Sequence, residues 1–264
     1  MAPWPYPRVL AHRGGGAFAP ENTIAAIRVG RQRGFRGVEF DVTLCADGEL
    51  VLIHDATLDR TTDGTGAVAE RSWADLAGLD AGRWFSADFA GERIPRLTEA
   101  IAFCRSNQVW INAEIKPAPG AERQTGEAVA LSVARAFADL AHQGTGPDGG
   151  ADPQLPLLSS FSVEALAAAR EAAPGLPRGL LCTRIAPDWR EQLQRLQCVA
   201  LHCDHRNLDA TAIREVRGAG YWLFCYTVND RHRTNQLAQW GIDALCTDRL
   251  DRIEPTVLDR LASP

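Results

Sequence analysis

Lysine is nearly missing from this chain: of its 28 basic residues only Lys116 is a lysine, and every other one is arginine. Where any surface cation suffices the chain uses arginine, so the position of its one compact ammonium points to a need that a planar guanidinium would not meet. The arginines are scattered and the net charge is −5, which excludes the basic stripe of a nucleic-acid binder. No run reaches the roughly 20 apolar residues of a membrane span, so no stable membrane association is expected. The segment Met1 to Arg8, with Pro3, Pro5 and Pro7, lacks a basic stretch followed by an apolar one, so no signal peptide is expected and the cytoplasm is the expected compartment. There is no CxxC, and the seven cysteines sit mostly in apolar runs; they read as small core hydrophobes in a reducing compartment rather than as a disulfide framework or a zinc site.

What is present is an ordinary globular composition, 45% hydrophobic and 23% charged, in 264 residues, enough for a large core. Short apolar runs alternate with helical stretches, the signature of βαβ units. The runs are Val9 to His12, Val38 to Val42, Val109 to Ile115, Leu155 to Ser159, Gly179 to Cys182, Cys198 to Cys203, Trp222 to Tyr226 and Ala244 to Cys246. Eight such runs predict closure into a barrel. Val129, Val133, Phe137 and Leu140 give one apolar stripe on a helix expected around Thr125 to Leu140. Pro20 and Glu21 are expected to open another helix that runs to about Arg33.

One interval is too long for a simple connection: Thr43 to about Arg96, between the second and third runs. Asp47-Gly48 followed by Leu50 to Ile53 predicts a hairpin that returns the chain to the barrel mouth at His54. The remainder, through Arg60, Trp73, Trp84 and Phe85, should form a small subdomain, with the aromatics as its core. Gly144 to Asp152, rich in Gly, Pro and Asp, is expected to be a loop without function.

The chemistry-bearing residues gather at strand ends. Glu39 and Asp41, two apart, share one face of the second strand, and Glu114 shares a face with Lys116 at the end of the third. Three carboxylates inside a barrel repel one another unless a cation or protons intervene, and all-oxygen ligation favours Mg²⁺, Ca²⁺ or Mn²⁺ over zinc. His12 and His54 each end a strand-like segment, where a near-neutral pKa suits a general acid and base pair. Arg13 offers a fixed cation for phosphate oxygens, whereas Gly14 to Gly16 read first as a structural turn. His142, His202, His205 and His232 read first as structural, with His202 and His205 close enough to the sixth strand's end to line the mouth.

Taken together, these motifs resemble the glycerophosphodiester phosphodiesterases. The matching pieces are His12-Arg13-Gly14, Pro20-Glu21-Asn22-Thr23, Gly37-Val38-Glu39-Phe40-Asp41-Val42, Asp47-Gly48, Val51 to Asp55, Leu58-Asp59-Arg60-Thr61-Thr62, Ile94-Pro95-Arg96-Leu97, Glu114-Ile115-Lys116 and Thr247-Asp248. The resemblance implies a single (β/α)₈ TIM barrel over 1–264 with 43–96 inserted. It implies one divalent cation, Mg²⁺ or Ca²⁺, on Glu39, Asp41 and Glu114, with His12 and His54 as acid and base. The implied reaction hydrolyses glycerophosphocholine, glycerophosphoethanolamine and similar diesters to sn-glycerol 3-phosphate and an alcohol, by direct water attack or through a cyclic phosphate. The implied partner is that small molecule, bound by a monomer or homodimer. Tyr226 departs from the pattern, standing where tryptophan is commoner beside the glycerol. A barrel that binds without catalysis would lack a histidine or ligand, and none is missing; a sugar-phosphate isomerase would share barrel and metal but not these motifs.

Overall fold

The computed structural model describes residues 3–141 and 154–262. Its strands are β1 (Val9–Ala11), β2 (Gly37–Leu44), β3 (Leu50–Leu52), β4 (Trp110–Ile115), β5 (Leu157–Ser160), β6 (Arg178–Cys182), β7 (Ala200–Asp204), β8 (Trp222–Tyr226) and β9 (Ala244–Thr247). Apart from β3 they pair in parallel in the order β1-β9-β8-β7-β6-β5-β4-β2, and Ala11 opposite Val38 closes the ring between β1 and β2. The helices are α1 (Ile24–Gln32), α2 (Trp73–Leu76), α3 (Leu97–Ser106), α4 (Glu122–Ala136), α5 (Ala138–Ala141), α6 (Val163–Ala172), α7 (Trp189–Leu196), α8 (Ala210–Gly218), α9 (Arg231–Trp240) and α10 (Val257–Ala262). Eight parallel strands ringed by helices make a TIM barrel, and each of the eight apolar runs supplies one of its strands.

Strand periodicity decides what faces the axis. On β2, Val38, Phe40 and Val42 join the main core between sheet and helices, with Ile27, Leu97 and Val129 among their cluster, so the intervening Glu39 and Asp41 point inward. On β4, Ile111, Ala113 and Ile115 pack outward in the same way and leave Asn112 and Glu114 inside. Glu39 is opposite Asn112 and Asp41 opposite Glu114, so one layer of the barrel carries Asp41 and Glu114 side by side. The N-terminal end of the barrel is closed by an aromatic plug: Trp4, Tyr6, Trp110, Trp222 and Phe224 cluster there, with Tyr6 stacked on Trp110 at 4.3 Å. Polar side chains are therefore concentrated towards the opposite, C-terminal end.

The hairpin forms as the spacing predicts. β3 runs antiparallel to β2 with Leu44 opposite Leu50, and Gly48 takes the turn at φ +87°. The chain from the hairpin to α3 builds its own small core from Cys45, Val51, Ile53, Leu58, Val68, Leu76, Ala81 and Ile94. Trp73 packs against that core, but Trp84 is 40% exposed and meets Phe85 edge-on at the surface, so aliphatic residues rather than those two aromatics fill it.

Two helix boundaries differ from expectation. α1 starts at Ile24, with Thr23 as the cap accepting from the Ala26 N–H; Pro20 to Asn22 lie before it, and Asn22 is held in the left-handed region at φ +58°. The expected helix at Thr125 to Leu140 begins earlier, at Glu122, and breaks at Phe137 before α5. The segment Gly144 to Asp152 and His142 lie outside the described residues.

Candidate active site

At the C-terminal end of the barrel, β2 and β4 bring Glu39, Asp41 and Glu114 together, with one carboxylate oxygen from each lying within 4.8 Å of the others. Glu39 and Asp41 are buried and Glu114 nearly so. Burial, then the charge of Asp41, pushes Glu39 up to about 7 and Glu114 up to about 8. Burial alone would raise Asp41 as well, but Arg13, Lys116, His54 and a bond from Asn22 hold it below the ordinary range. Asn22 binds it twice: its amide donates to Asp41 Oδ2 at 2.8 Å, and its carbonyl oxygen accepts the Asp41 backbone N–H at 3.0 Å. That double contact accounts for the left-handed turn before α1.

His12 and His54 flank this triad, and each imidazole is fixed from behind by a carboxylate. His12 Nδ1 donates to Asp248 Oδ1 at 2.6 Å, leaving Nε2 3.8 Å from Glu39 Oε2. Asp248 is itself held by the Asn229 side-chain amide at 2.8 Å. His54 Nδ1 donates to Asp55 Oδ1 at 2.7 Å. The two rings are tuned in opposite directions. Burial works to lower both, but on His12 the Asp248 bond and the charges of Glu39 and Asp248 prevail and its pKa is raised. On His54, burial together with the nearby Arg13 and Lys116 charges outweighs Asp41 and Asp55, and its pKa is lowered.

The cations complete the site. Lys116 Nζ lies 3.4 Å from Glu114 Oε1 and 3.7 Å from Asp41 Oδ1. Arg13, at φ +50°, donates its backbone N–H to Glu39 Oε2 at 3.0 Å and its Nη1 to Glu21 Oε1 at 2.7 Å, with Nε 3.5 Å from Asp41 Oδ2. Glu21 is shared with Arg60, whose guanidinium donates to both Glu21 oxygens at 2.8 Å and to both Asp55 oxygens at 2.6 and 3.0 Å. Through Arg60 the inserted segment is tied to the barrel loop before α1, and the Asp55 behind His54 is locked in place. The glycines after Arg13 serve the backbone: a Cβ on Gly16, at φ +54°, would lie 2.4 Å from the Asp248 carbonyl oxygen, so glycine lets the β9 end approach His12.

All seven residues singled out from the sequence, His12, Arg13, Glu39, Asp41, His54, Glu114 and Lys116, therefore meet in one place. His202 does not line the mouth: it is buried inside the barrel and stacked on Phe224 at 4.6 Å, its pKa pushed down to about 3 by burial. His205 turns towards α9, where Arg233 reaches its backbone oxygen and ring. From the sequence Glu21 reads only as part of a helix's first turn, and Asn22, Asp55, Arg60, Asn229 and Asp248 carry no individual role there. Asp55 could have been found from its place beside His54; the Asp248–His12 pair, 236 residues apart, had no local signal.

The raised Glu39 and Glu114 carry a stability prediction. In protein stripped of metal, the folded state holds protons that the unfolded chain releases, so the contribution of these two groups is complete below about pH 4 and is lost as pH rises towards 8. His54 and His202, lowered from 6.5, act with the opposite sign, but only below that value. In the window from pH 6.5 to 8 the melting temperature of chelated protein should therefore fall, with His12, raised above 6.5, adding in the same sense, and a saturating divalent cation should reduce the fall. A flat profile in chelator, measured by differential scanning calorimetry, would contradict the raised values.

Residues 12–252 match the model of the glycerophosphoryl diester phosphodiesterase family. The glycerophosphodiester phosphodiesterase of Caldanaerobacter subterraneus subsp. tengcongensis is 33% identical over 246 residues, covering 91% of this chain and 93% of that protein. Among solved structures, an Oleispira antarctica phosphodiesterase in complex with the product sn-glycerol-3-phosphate superposes with a TM-score of 0.83 at 33% identity, over 97% of this chain and 96% of that one. A glycerophosphodiester phosphodiesterase from Agrobacterium tumefaciens gives 0.74 at 28% identity, over 92% and 97%. With a barrel of that family's kind and a match spanning nearly its whole length, the chain belongs to the glycerophosphoryl diester phosphodiesterase family and is a phosphodiester hydrolase.

Proposed function

We propose that the chain hydrolyses glycerophosphodiesters such as glycerophosphocholine and glycerophosphoethanolamine to sn-glycerol 3-phosphate and an alcohol, with one Mg²⁺ or Ca²⁺ held by Glu39, Asp41 and Glu114. The observation that carries this reading is the converging carboxylate triad with an oriented imidazole on either side. The donor set fits a hard cation: it is all oxygen, and two of its members would hold protons near neutrality unless positive charge replaced them. When bound, such a cation supplies Lewis-acid polarisation of the phosphoryl oxygens.

The remaining steps belong to side chains. His54, kept neutral, accepts a proton from the attacking oxygen, that of water in direct hydrolysis or of the glycerol 2-hydroxyl if a cyclic phosphate forms first and water then opens it. His12, kept basic by Asp248, carries the proton that its Nε2 delivers to the leaving oxygen. Arg13 and Lys116 lie where negative charge grows on the phosphoryl group and offset it. Charges close without unusual protonation: three carboxylates and a phosphodiester carry about −4, and a divalent cation with Arg13 and Lys116 returns about +4.

Lys116 gives this reading a sharp test. A planar guanidinium spreads over several atoms the charge that the Lys116 ammonium concentrates 3.4 Å from Glu114 and 3.7 Å from Asp41, so Lys116→Arg should lower kcat/KM by more than about tenfold, given that misplacement by ~1 Å can cost a hundredfold. A value within about twofold of wild type, with unchanged metal affinity, would reduce Lys116 to an ordinary cation. The reaction itself is tested by incubating metal-loaded enzyme with glycerophosphoethanolamine and measuring glycerol 3-phosphate with a coupled dehydrogenase. Stoichiometric appearance of glycerol 3-phosphate is expected, whereas release of phosphoethanolamine in its place would mean that the other ester bond is cut.

A further inference from the structure

On the outer face of the sheet, Cys182 at the end of β6 and Cys203 on β7 are paired in register. Their side chains emerge on the same face: Cys203 belongs to the main core and Cys182 packs against it. Paired residues on adjacent strands lie about 4.8 Å apart, inside the range of about 4.4 to 6.8 Å that a disulfide spans between Cα atoms. Each thiol shifts the other, Cys182 being lowered and Cys203 raised, while the Cys203 thiol donates to the carbonyl oxygens of Thr183 at 3.8 Å and Asp204 at 3.7 Å. Of the seven cysteines, Cys182 alone is not fully buried, so one member of the pair can be reached from solvent and the other waits beneath it.

The neighbourhood also links this pair to the barrel mouth. The Tyr226 hydroxyl donates to the Cys182 carbonyl oxygen at 2.8 Å, and Tyr226 meets Phe161 edge-on at 6.0 Å. Phe161, Glu114 and Lys116 line one cavity of about 460 Å³. We propose that Cys182 and Cys203 form a peroxide-reactive dithiol, oxidised to a disulfide that shifts the Tyr226–Phe161 wall of the active-site mouth. The effect on turnover rests on the function proposed above, while the thiol chemistry does not.

The reaction balances with hydrogen peroxide as oxidant. The Cys182 thiolate attacks one peroxide oxygen, the O–O bond breaks, hydroxide leaves, and Cys182 becomes a sulfenic acid. The Cys203 sulfur then attacks the Cys182 sulfur, the S–O bond breaks, and water departs with the Cys203 proton, so that two thiols and one peroxide give one disulfide and two waters. The roles follow from position. The neighbouring Cys203 thiol lowers Cys182 against the effect of burial, and Cys182, with burial, raises Cys203. Cys225, in register on the far side of Cys203, is fully buried and lies beyond reach of the first step.

The test treats the intact enzyme with hydrogen peroxide and maps tryptic peptides without reduction. The expected product is a cross-link between the peptide Gly179 to Arg184 and the peptide Leu196 to Arg206, assigned by fragmentation to Cys203 rather than Cys198, and reversed by dithiothreitol. Cys203→Ser should leave Cys182 as a sulfenic acid trapped by dimedone, and Cys182→Ser should leave Cys203 unoxidised. In the wild type, kcat/KM should fall by about tenfold with the cross-link and recover on reduction, a loss on the scale of a small displacement of a substrate-positioning wall. A disulfide elsewhere, or a Cys182 that stays reduced, overturns the proposal whatever the enzyme's substrate. A complete Cys182–Cys203 cross-link with undiminished turnover overturns its coupling to the site.

Discussion

Replacing His12 or His54 with alanine should each lower kcat by roughly 10² to 10⁴, the range that lost proton transfer costs, while metal still binds. Each ring presents one nitrogen to the site and is held by a carboxylate through the other, His12 by Asp248 and His54 by Asp55. In the mechanism proposed above both serve one displacement, one removing a proton as the other supplies it, so removing either should disable the same step. The double variant should therefore be little slower than the poorer single. Multiplicative losses, read from steady-state kinetics on all four proteins of the cycle, would show instead that the histidines act independently. The opposite tuning of the rings adds a second readout. Asp248→Asn removes the charge that helps raise His12 and leaves only a neutral acceptor for its Nδ1–H, so the limb of the pH profile belonging to the protonated acid should move to lower pH.

Alanine at Glu39, Asp41 or Glu114 should weaken divalent-cation binding and reduce activity at least as severely as loss of a histidine, with the barrel intact by circular dichroism. Each substitution removes one oxygen donor and one negative charge from a set of three, so a hard cation that takes six or more ligands keeps fewer protein donors and less compensating charge. The effect on metal-free protein should have the opposite sign. Glu39 and Glu114 are pushed up by burial and by Asp41, so deleting either one relieves repulsion between buried groups, and the melting temperature in chelator should match or exceed that of the wild type at pH 8. Isothermal titration with Ca²⁺ and melting curves in chelator separate the two effects. Wild-type affinity in any of the three variants would remove that residue from the ligand set.

How much of this was readable from the chain follows the range of the forces involved. Strand period is local, so Glu39, Asp41 and Glu114 announce a shared inward face, and Asp47-Gly48 announces its hairpin without any tertiary knowledge. The helix starts later than Pro20-Glu21 predicts because a local rule loses to a distant contact. Pro20-Glu21 has the composition of a first helical turn, but Asn22 is needed to bind Asp41 and Glu21 to bind Arg13 and Arg60, so the helix begins only at Ile24. Asp248, the residue that tunes His12, lies at the end of the last strand, beside the first only because the barrel closes. His202 reads first as structural, though its strand position also allows the mouth; its place inside the barrel, stacked on Phe224, is set by barrel packing that no one-dimensional pattern carries.

Exhaustive chelation, with metal content checked by elemental analysis, followed by titration with Mg²⁺ or Ca²⁺ under continuous assay for glycerol 3-phosphate, tests most directly whether the triad is a catalytic metal site. Activity should vanish in metal-free protein and return in proportion to added cation, breaking at one equivalent per chain. Full hydrolysis by protein shown to contain no metal would contradict that role for Glu39, Asp41 and Glu114.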